Sequence, residues 1–216
     1  MAAEETGAYA AWIGLGGVIV GVTITAGLTF FKEWWFHDRE MQKEREYLAI
    51  LVSAELDRYS QECASVVGDD GLCEGRRDEQ GCLRTRVALP TLQITEMKVE
   101  WKALPVELMY SILDLPNRIA EAKRYIDGAA EHAFPPDFEE AFEARQEQHA
   151  RLGLKAGELA KALRALIHIQ EPPEKEWGAS KYMREQLDEI EKRQELQRLQ
   201  NQKWSEPLAV TEKSGA

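Results

Sequence analysis

The chain has 216 residues, with 38 Asp and Glu side chains against 27 Lys and Arg, and a formal net charge of −11 at pH 7. This acidic balance argues against a nucleic-acid-binding protein, because affinity for the phosphate backbone comes from clustered basic side chains. The three cysteines, at positions 63, 73 and 82, are an odd number, which favours a reducing compartment over a disulfide framework.

Residues 8–31 form a run of 24 residues without a charged side chain. A helix of about 20 apolar residues crosses the hydrocarbon core of a bilayer. The sequence therefore predicts a transmembrane helix over residues 9–31, after a short extracytoplasmic segment, residues 1–8. Aromatic side chains suited to the two membrane interfaces flank it: Tyr9, Trp12, Trp34 and Trp35. A cleavable signal peptide is disfavoured, because the flank before the run has no Lys or Arg and no small-residue cleavage site follows it.

The basic residues near the predicted span all follow it, starting with Lys32. By the positive-inside rule, the N-terminus lies outside and the C-terminal part lies in the cytoplasm. Small residues recur within the span at three- and four-residue spacing: Gly14, Gly17, Gly21 and Thr25. Such a face lets two helix backbones approach closely. It predicts a homodimer or docking on another membrane helix.

The rest of the chain has the apolar period of amphipathic helices. It predicts a mainly α protein, in which the transmembrane helix continues into an antiparallel three- to four-helix bundle over residues 32–170. Pro116 should end or kink the second helix, and Asp137 is a candidate N-cap of the third. Gly153 and Gly157, in the middle of the third helix, predict a close helix crossing, since each costs about 1 kcal/mol relative to Ala.

Helices joined by turns should alternate in direction. The connection over residues 68–103 would then lie at the tip far from the membrane. The turn at residues 134–136 would lie near the membrane, and the third helix would run outwards like the first.

The connection 68–103 is the segment most suited to a functional role, because connections of this length are uncommon in compact domains unless they bind or move. Its charged side chains suggest a partner-binding loop: Asp69, Asp70, Arg76, Arg77, Arg84 and Arg86. The acidic residues lack the alternation of a calcium loop, and the cysteines lack CxxC spacing. Residues 83–94 have some β character, which predicts either a short β hairpin or a strand-like strap across the helices, limited by Pro90.

His132, His149 and His168 raise the question of a metal in the bundle core. A di-iron centre uses Glu-x-x-His, and none of the three histidines follows a Glu at that spacing. The chain also lacks a P-loop, a dinucleotide fingerprint and a Gly-x-Ser-x-Gly motif. We therefore expect no catalytic, cofactor-binding or metal-binding residues.

The Pro-Pro pair at 172–173 interrupts the helical pattern. The pattern over residues 171–204 predicts a linker followed by a charged helix, and the pattern over residues 205–216 predicts a disordered tail. The charged helix has a thin apolar seam: Met183, Leu187, Ile190, Leu196 and Leu199. This seam is compatible with docking on the bundle, with pairing to a partner and with mobility.

Four stretches carry a resemblance: residues 47–59 (YLAILVSAELDRY), 99–110 (VEWKALPVELMY), 135–140 (PPDFEE) and 152–156 (LGLKA). They resemble a group of uncharacterised bacterial single-pass inner-membrane proteins of similar length, and the resemblance covers most of residues 10–170. It implies a bacterial inner-membrane location and a helical soluble domain. The group has no assigned activity, so the resemblance implies no functional residue.

These observations predict a membrane-anchored, non-enzymatic interaction or scaffold protein that contacts the lipid bilayer and a cytoplasmic protein partner. One alternative is a phage- or prophage-type lysis protein of the holin or spanin class, and another is a membrane-anchored enzyme. A spanin would hold its soluble part in the periplasm, so the topology of the chain discriminates between these classes.

Overall fold

A computed structural model describes residues 39–171 and 178–212, with side chains described up to Lys203. Its contacts divide the chain into two compact units, Met1–Glu46 and Tyr47–Ala216. Of the first unit, only residues 39–46 are described, and they are helical. No helix among the described residues is long and apolar enough to cross a membrane. The predicted span, residues 9–31, lies outside the described residues, as do its small-residue face and its aromatic anchors.

The described structure is mainly helical, as predicted. Within the described residues, helix α1 covers 39–67. A 3₁₀ turn, Trp101–Ala103, precedes the four helices that follow. These are α2 (Val106–Leu113), α3 (Leu115–His132), α4 (Glu139–Leu166) and α5 (Ala179–Glu212).

No strand occurs within 39–171 or 178–212, so the alternative of a β hairpin at residues 83–94 is wrong. An isolated bridge joins Cys73 and Arg76 and closes a two-residue turn. Both central residues of that turn, Glu74 and Gly75, have positive φ, which is the geometry of the tight turns that suit a hairpin.

The helix starts differ slightly from those predicted. The second helical region breaks at Asp114, two residues before Pro116, because a proline fits the first turn of α3, where its missing N–H is not needed. Phe138, in the left-handed conformation, precedes α4. The prediction of Asp137 as the N-cap is wrong, because its carboxylate pairs with Arg77.

Helices α1 and α4 are antiparallel, as three contacts show. An Asp69 carboxylate oxygen lies 2.7 Å from Nη1 of Arg145. The Ser60 hydroxyl donates to the Gly153 carbonyl at 2.8 Å. Arg164 Nη1 lies 2.6 Å from an Asp57 carboxylate oxygen. Residue numbers therefore rise along α4 as they fall along α1, so α4 runs back towards the start of the bundle.

The return path between α1 and α2 is extended chain rather than a helix. The Val87 amide lies at the C-terminal end of α1, where it donates to Asp69. Further along, Arg58 donates to the Thr91 carbonyl at 2.9 Å, and the Gln93 amide donates to Glu55 at 2.9 Å. Residues 87–93 thus run back beside α1.

Because this strap makes the return, α3 runs in the same direction as α1. The turn after α3 meets the long loop, since the Leu83 amide donates to the Pro136 carbonyl at 3.0 Å. The predicted placement of that turn at the opposite end from the loop is wrong. We call this end of the bundle, with residues 69–87 and 133–138, the loop end, and the opposite end the bundle base.

Helix α5 packs on α4, which answers a question that the sequence left open. Met183 and Ile190 are buried, and Leu187 contacts the core. The helix leaves the bundle after Gln194, whose amide donates to Glu143 at 2.9 Å. Residues 195–203 are all exposed, and we call them the α5 overhang. The helical backbone continues to Glu212.

Candidate functional site at the loop end

The loop end is organised around the buried carboxylate of Asp69, which lies two residues after the end of α1. One oxygen accepts a hydrogen bond from the Gly71 amide at 3.1 Å. The other accepts from the amides of Arg86 and Val87 at 2.8 and 2.9 Å and from Arg145 at 2.7 Å. Four donors thus converge on one side chain, which fixes the two ends of the loop 69–87 against α4.

Arg145 completes this arrangement from α4. Its side chain is also buried, and Nη2 donates to the Val87 carbonyl. Gln146 beside it donates to the Asp69 carbonyl at 3.0 Å. Burial by itself raises the pKa of Asp69, but the hydrogen bonds from Val87, Arg145 and the other donors outweigh burial, so the pKa is lowered. Asp69 is therefore ionised at neutral pH, and it serves as an anchor of the loop rather than as an exposed partner-binding group.

A second carboxylate, Asp78, shapes the tip of the loop. It accepts hydrogen bonds from the Gln80 and Cys82 amides at 2.9 and 2.7 Å, and Arg84 Nε lies 2.5 Å from its second oxygen. The hydrogen bond from Arg84 is the largest cause of the lowered pKa of Asp78. Arg84, predicted as a partner-binding residue, is thus engaged within the loop.

A cleft of about 390 Å³ lies where the loop, the start of α4 and α5 meet. Four carboxylates and two arginines line it, which leaves a local formal charge of −2: Asp70, Asp137, Glu139, Glu143, Arg77 and Arg193. Arg77 pairs with Asp137, and Arg193 lies 3.6 Å from Glu143. No histidine, cysteine or serine is among the described residues that line the cleft, so it offers hydrogen bonds and charge rather than a nucleophile with a base.

The predicted partner-binding residues therefore fall into two groups. Asp69, Arg77 and Arg84 are engaged inside the domain. Arg76 and Arg86 are exposed, and their side chains make no ion pair with the described residues. Asp70 is exposed at the cleft and holds only the local turn, by accepting from the Leu72 amide at 2.9 Å.

Other reactive side chains are buried in the bundle. His149 lies inside α4 with Nδ1 2.8 Å from the Arg145 carbonyl, and burial lowers the pKa of its imidazole. Burial raises the pKa of the Cys63 thiol to about 12. No group of three or more His, Cys, Asp or Glu side chains that could hold a metal ion occurs in the described part of the chain.

No protein-family model, curated protein or solved structure matches the chain. The candidate site therefore stands on the geometry of the loop end alone.

The loop was predictable from the sequence, but the residues that hold it were not. Arg145 and Gln146 lie more than 70 residues from Asp69 in sequence, and nothing in the local pattern links them. A signal for Arg145 does exist, because it falls on the apolar face of α4, four residues before His149 and seven before Leu152. A charged residue on a core-facing stripe requires a buried partner.

Proposed function

We propose that this chain is a membrane-anchored, non-enzymatic interaction protein whose loop end and α5 overhang bind a protein partner. The supporting observation is that a loop fixed by buried hydrogen bonds and a helix with exposed side chains meet at one cleft. Arg77 from the loop and Arg193 from α5 both line it. The proposed partner surface comprises Arg76, Arg86 and residues 195–203.

The fixed loop supports a binding role on energetic grounds. Association costs free energy for each flexible group that must be ordered. Asp69, Arg145 and Asp78 already hold the loop through hydrogen bonds to its backbone. Arg76 and Arg86 are therefore presented on an ordered backbone, which lowers the ordering cost of a contact there.

The exposed side chains of the α5 overhang also support a role in binding a protein partner. Leu196 is 60% exposed and Leu199 is 47% exposed. Residues three apart lie on the same side of a helix, so the two leucines form a short apolar stripe among polar residues. A helix with such a stripe is a common element of helix-in-groove recognition.

Support for a non-enzymatic role comes from how the polar groups are used. The buried Asp69–Arg145 pair holds the loop, Glu147 accepts from Arg151 and Gln194, and His149 is held by a backbone carbonyl. Each of these buried ionisable side chains is therefore engaged in a contact that holds the fold together. The cleft presents charged pairs rather than a nucleophile.

The anchor is proposed from the sequence. The uncharged run of 24 residues at 8–31 and the basic residues after it favour a single-pass membrane helix with the domain in the cytoplasm. The resemblance described above favours a bacterial inner membrane. The small-residue face of the span favours association with a second copy or another membrane helix.

A photo-crosslinker in place of Leu196 tests partner binding in the full chain in its own membrane. Irradiation should give one discrete protein adduct, because this side chain lies on the proposed partner surface. The same crosslinker at Tyr125, which is similarly exposed on α3, is the matched control and should give no such adduct. Adducts are read by gel shift and mass spectrometry.

Charge removal gives the second arm of this experiment. Arg76→Ala with Arg86→Ala should reduce the adduct from position 196, because these are the unpaired arginines of the loop. Lys123→Ala with Arg124→Ala removes the same charge from exposed positions of α3 and should leave the adduct unchanged. Equal adducts from positions 196 and 125, or equal effects of the two double substitutions, would contradict the proposed partner surface.

The native cysteines test the topology. Cys73 and Cys82 are partly exposed on the loop, whereas Cys63 is buried and its thiol has a raised pKa. In intact cells, a membrane-impermeant maleimide should label none of them; after permeabilisation it should label Cys73 and Cys82 but not Cys63. The variant Cys73→Ser with Cys82→Ser should then remain unlabelled. Labelling of Cys73 and Cys82 in intact cells would place the domain in the periplasm and favour the spanin-type alternative.

A further inference from the structure

Helix α5 carries its exposed end past the start of α4. It runs antiparallel to α4, because Met183 lies against Gly153 in the middle of α4, whereas the Gln194 amide donates to Glu143 close to its start. Helix α4 begins four residues before Glu143. At about 1.5 Å per residue in both helices, the second half of the α5 overhang therefore extends beyond the start of α4.

The overhang of one chain does not fill the cleft of the same chain. Arg193 lines that cleft, and Lys203 lies ten residues further along α5, which is about 15 Å. All side chains of residues 195–203 are exposed, so the overhang has no buried contact with its own bundle. Any contact that covers the overhang therefore comes from a second molecule.

One face of the overhang combines apolar side chains with a cation. Leu196, Leu199 and Lys203 are spaced by three and four residues, so they lie on the same side of the helix. Arg198 and Lys203 make no ion pair with the described residues. Together with Glu195 they leave the overhang with a formal charge of +1.

The cleft at the loop end has the complementary composition. Its lining side chains have a formal charge of −2, and two of its carboxylates, Asp70 and Glu139, make no ion pair with the described residues. Leu83 and Phe142 add half-buried apolar surface to the lining. The Phe142 ring is packed against Gly71, where a Cβ atom would lie 2.5 Å from its Cζ atom. This apolar surface is therefore already in place before anything binds.

We propose that the partner of the loop end is a second copy of this chain, and that each copy places its α5 overhang in the cleft of the other. This inference deepens the proposed function and rests on it, because it takes the overhang and the loop end as the binding surfaces. In such a pair, Leu199 of one copy packs on Phe142 of the other copy. Lys203 of the first copy lies beside Asp70 and Glu139 of the second.

Two properties of the chain select a second copy as the occupant. The overhang and the cleft have opposite charges, and opposite charges across an interface favour association and fix its register. Both surfaces belong to this chain and are adjacent at the loop end. A two-fold axis between two loop ends therefore makes the same contact twice, which is the property of an isologous interface.

The test uses the full chain, expressed as two forms with different epitope tags in the same membrane. One form has the photoreactive residue p-benzoylphenylalanine in place of Leu199, and the other has no crosslinker. Irradiation should give an adduct of twice the chain mass that has both tags. Mass spectrometry should locate the crosslink within residues 137–146 of the second copy, which separates this contact from one made by the predicted span.

A charge exchange tests the ionic part of the contact. Lys203→Glu in both copies should lower the yield of this adduct at least about fivefold, because like charges then meet across the interface. Adding Glu139→Lys should restore the yield. The matched control is Lys123→Glu, the same charge change at an exposed position of α3, and it should leave the yield unchanged.

The contrary outcomes are distinguishable. An adduct from position 199 with a different protein would overturn the second copy as the partner, while the partner surface of the proposed function would stand. A crosslink outside the cleft, or a yield that Lys203→Glu does not change, would overturn the contact between overhang and cleft. No protein adduct from either position 196 or position 199 would overturn both this inference and the proposed partner surface.

Discussion

Replacing Asp69 with asparagine should lower the free energy of unfolding by about 3–5 kcal/mol, the range found when one partner of a buried ion pair is removed. The carboxylate accepts from three backbone amides and from Arg145. An asparagine amide has one acceptor oxygen and one NH₂ group. In either orientation, the NH₂ group faces donors, and the buried guanidinium of Arg145 loses its counter-charge. Urea unfolding of the full chain in a mild detergent measures the effect.

The neighbouring aspartate supplies the control. Asp70 is exposed and accepts only from the Leu72 amide, through Oδ1. An asparagine keeps that acceptor, so Asp70→Asn should change the free energy of unfolding by less than about 0.5 kcal/mol, as is usual at the surface. The same chemical change thus separates a buried structural carboxylate from an exposed one. Similar effects at the two positions would show that the buried network does not hold the loop.

The pH dependence of stability follows from the same pair. The folded-state pKa of Asp69 lies below its ordinary value, which is about 3.9. The stabilisation is therefore fully present above about pH 4 and is lost as the pH falls through the lowered folded-state pKa. In Asp69→Asn this group no longer titrates, so the stability difference between the two proteins should shrink below about pH 4. A difference that stays constant into acid would contradict this assignment.

The helices could be predicted from the sequence because their apolar period is local. The break beside Pro116, the close crossing at Gly153 and the helix with a seam through Met183 and Ile190 all follow from spacing. The structure confirms the mainly α fold and buries Met183 and Ile190 of the seam, whereas Leu196 and Leu199 stay exposed. What spacing does not reveal is which helix neighbours which, because that depends on contacts between distant residues.

The direction of the helices was predicted wrongly for a physical reason. Alternation of helix direction assumes that each return is made by a helix. Here the return is made by residues 87–93, which have no helical period and are held by hydrogen bonds to Glu55 and Arg58 on α1. The backbone of this extended strap bonds to side chains of the helix beside it, and its signal in the sequence was the β character of residues 83–94 rather than a helical period.

The candidate site was predictable only in outline. The length of the connection 68–103 indicated a functional segment, but exposed and buried charges look alike in a loop sequence. Asp69 is a core residue because Arg145, 76 positions later, packs over it. Arg76 and Arg86 take part in the loop through their backbone atoms, and their side chains are exposed. Only the tertiary structure therefore distinguishes the charged loop residues that hold the loop in place from those that are exposed for binding.

Replacing Gly153 with alanine should lower the free energy of unfolding by about 1–3 kcal/mol, the usual cost of overpacking a core. A Cβ atom at this position would lie 2.6 Å from Met183 Sδ and 2.7 Å from Cys63 Cβ. The methionine side chain can turn aside, but Cys63 Cβ is attached directly to the α1 backbone. The α1–α4 crossing must therefore widen, which also lengthens the hydrogen bond from Ser60 to the Gly153 carbonyl.

Gly157, one turn further along α4, should respond with the opposite sign. A Cβ atom there would lie 3.5 Å from Ser180 Oγ and 3.6 Å from Ser60 Oγ, which are ordinary van der Waals distances. Gly157→Ala should therefore raise the free energy of unfolding by up to about 1 kcal/mol, the gain in helix propensity. Gly128→Ala on α3, where a Cβ atom meets nothing within 4 Å, should gain a similar amount. The urea midpoints of these variants measure how closely α1 and α4 cross. If alanine were tolerated at position 153 as well as at position 157, the two helices would cross less closely than the Ser60 hydrogen bond requires.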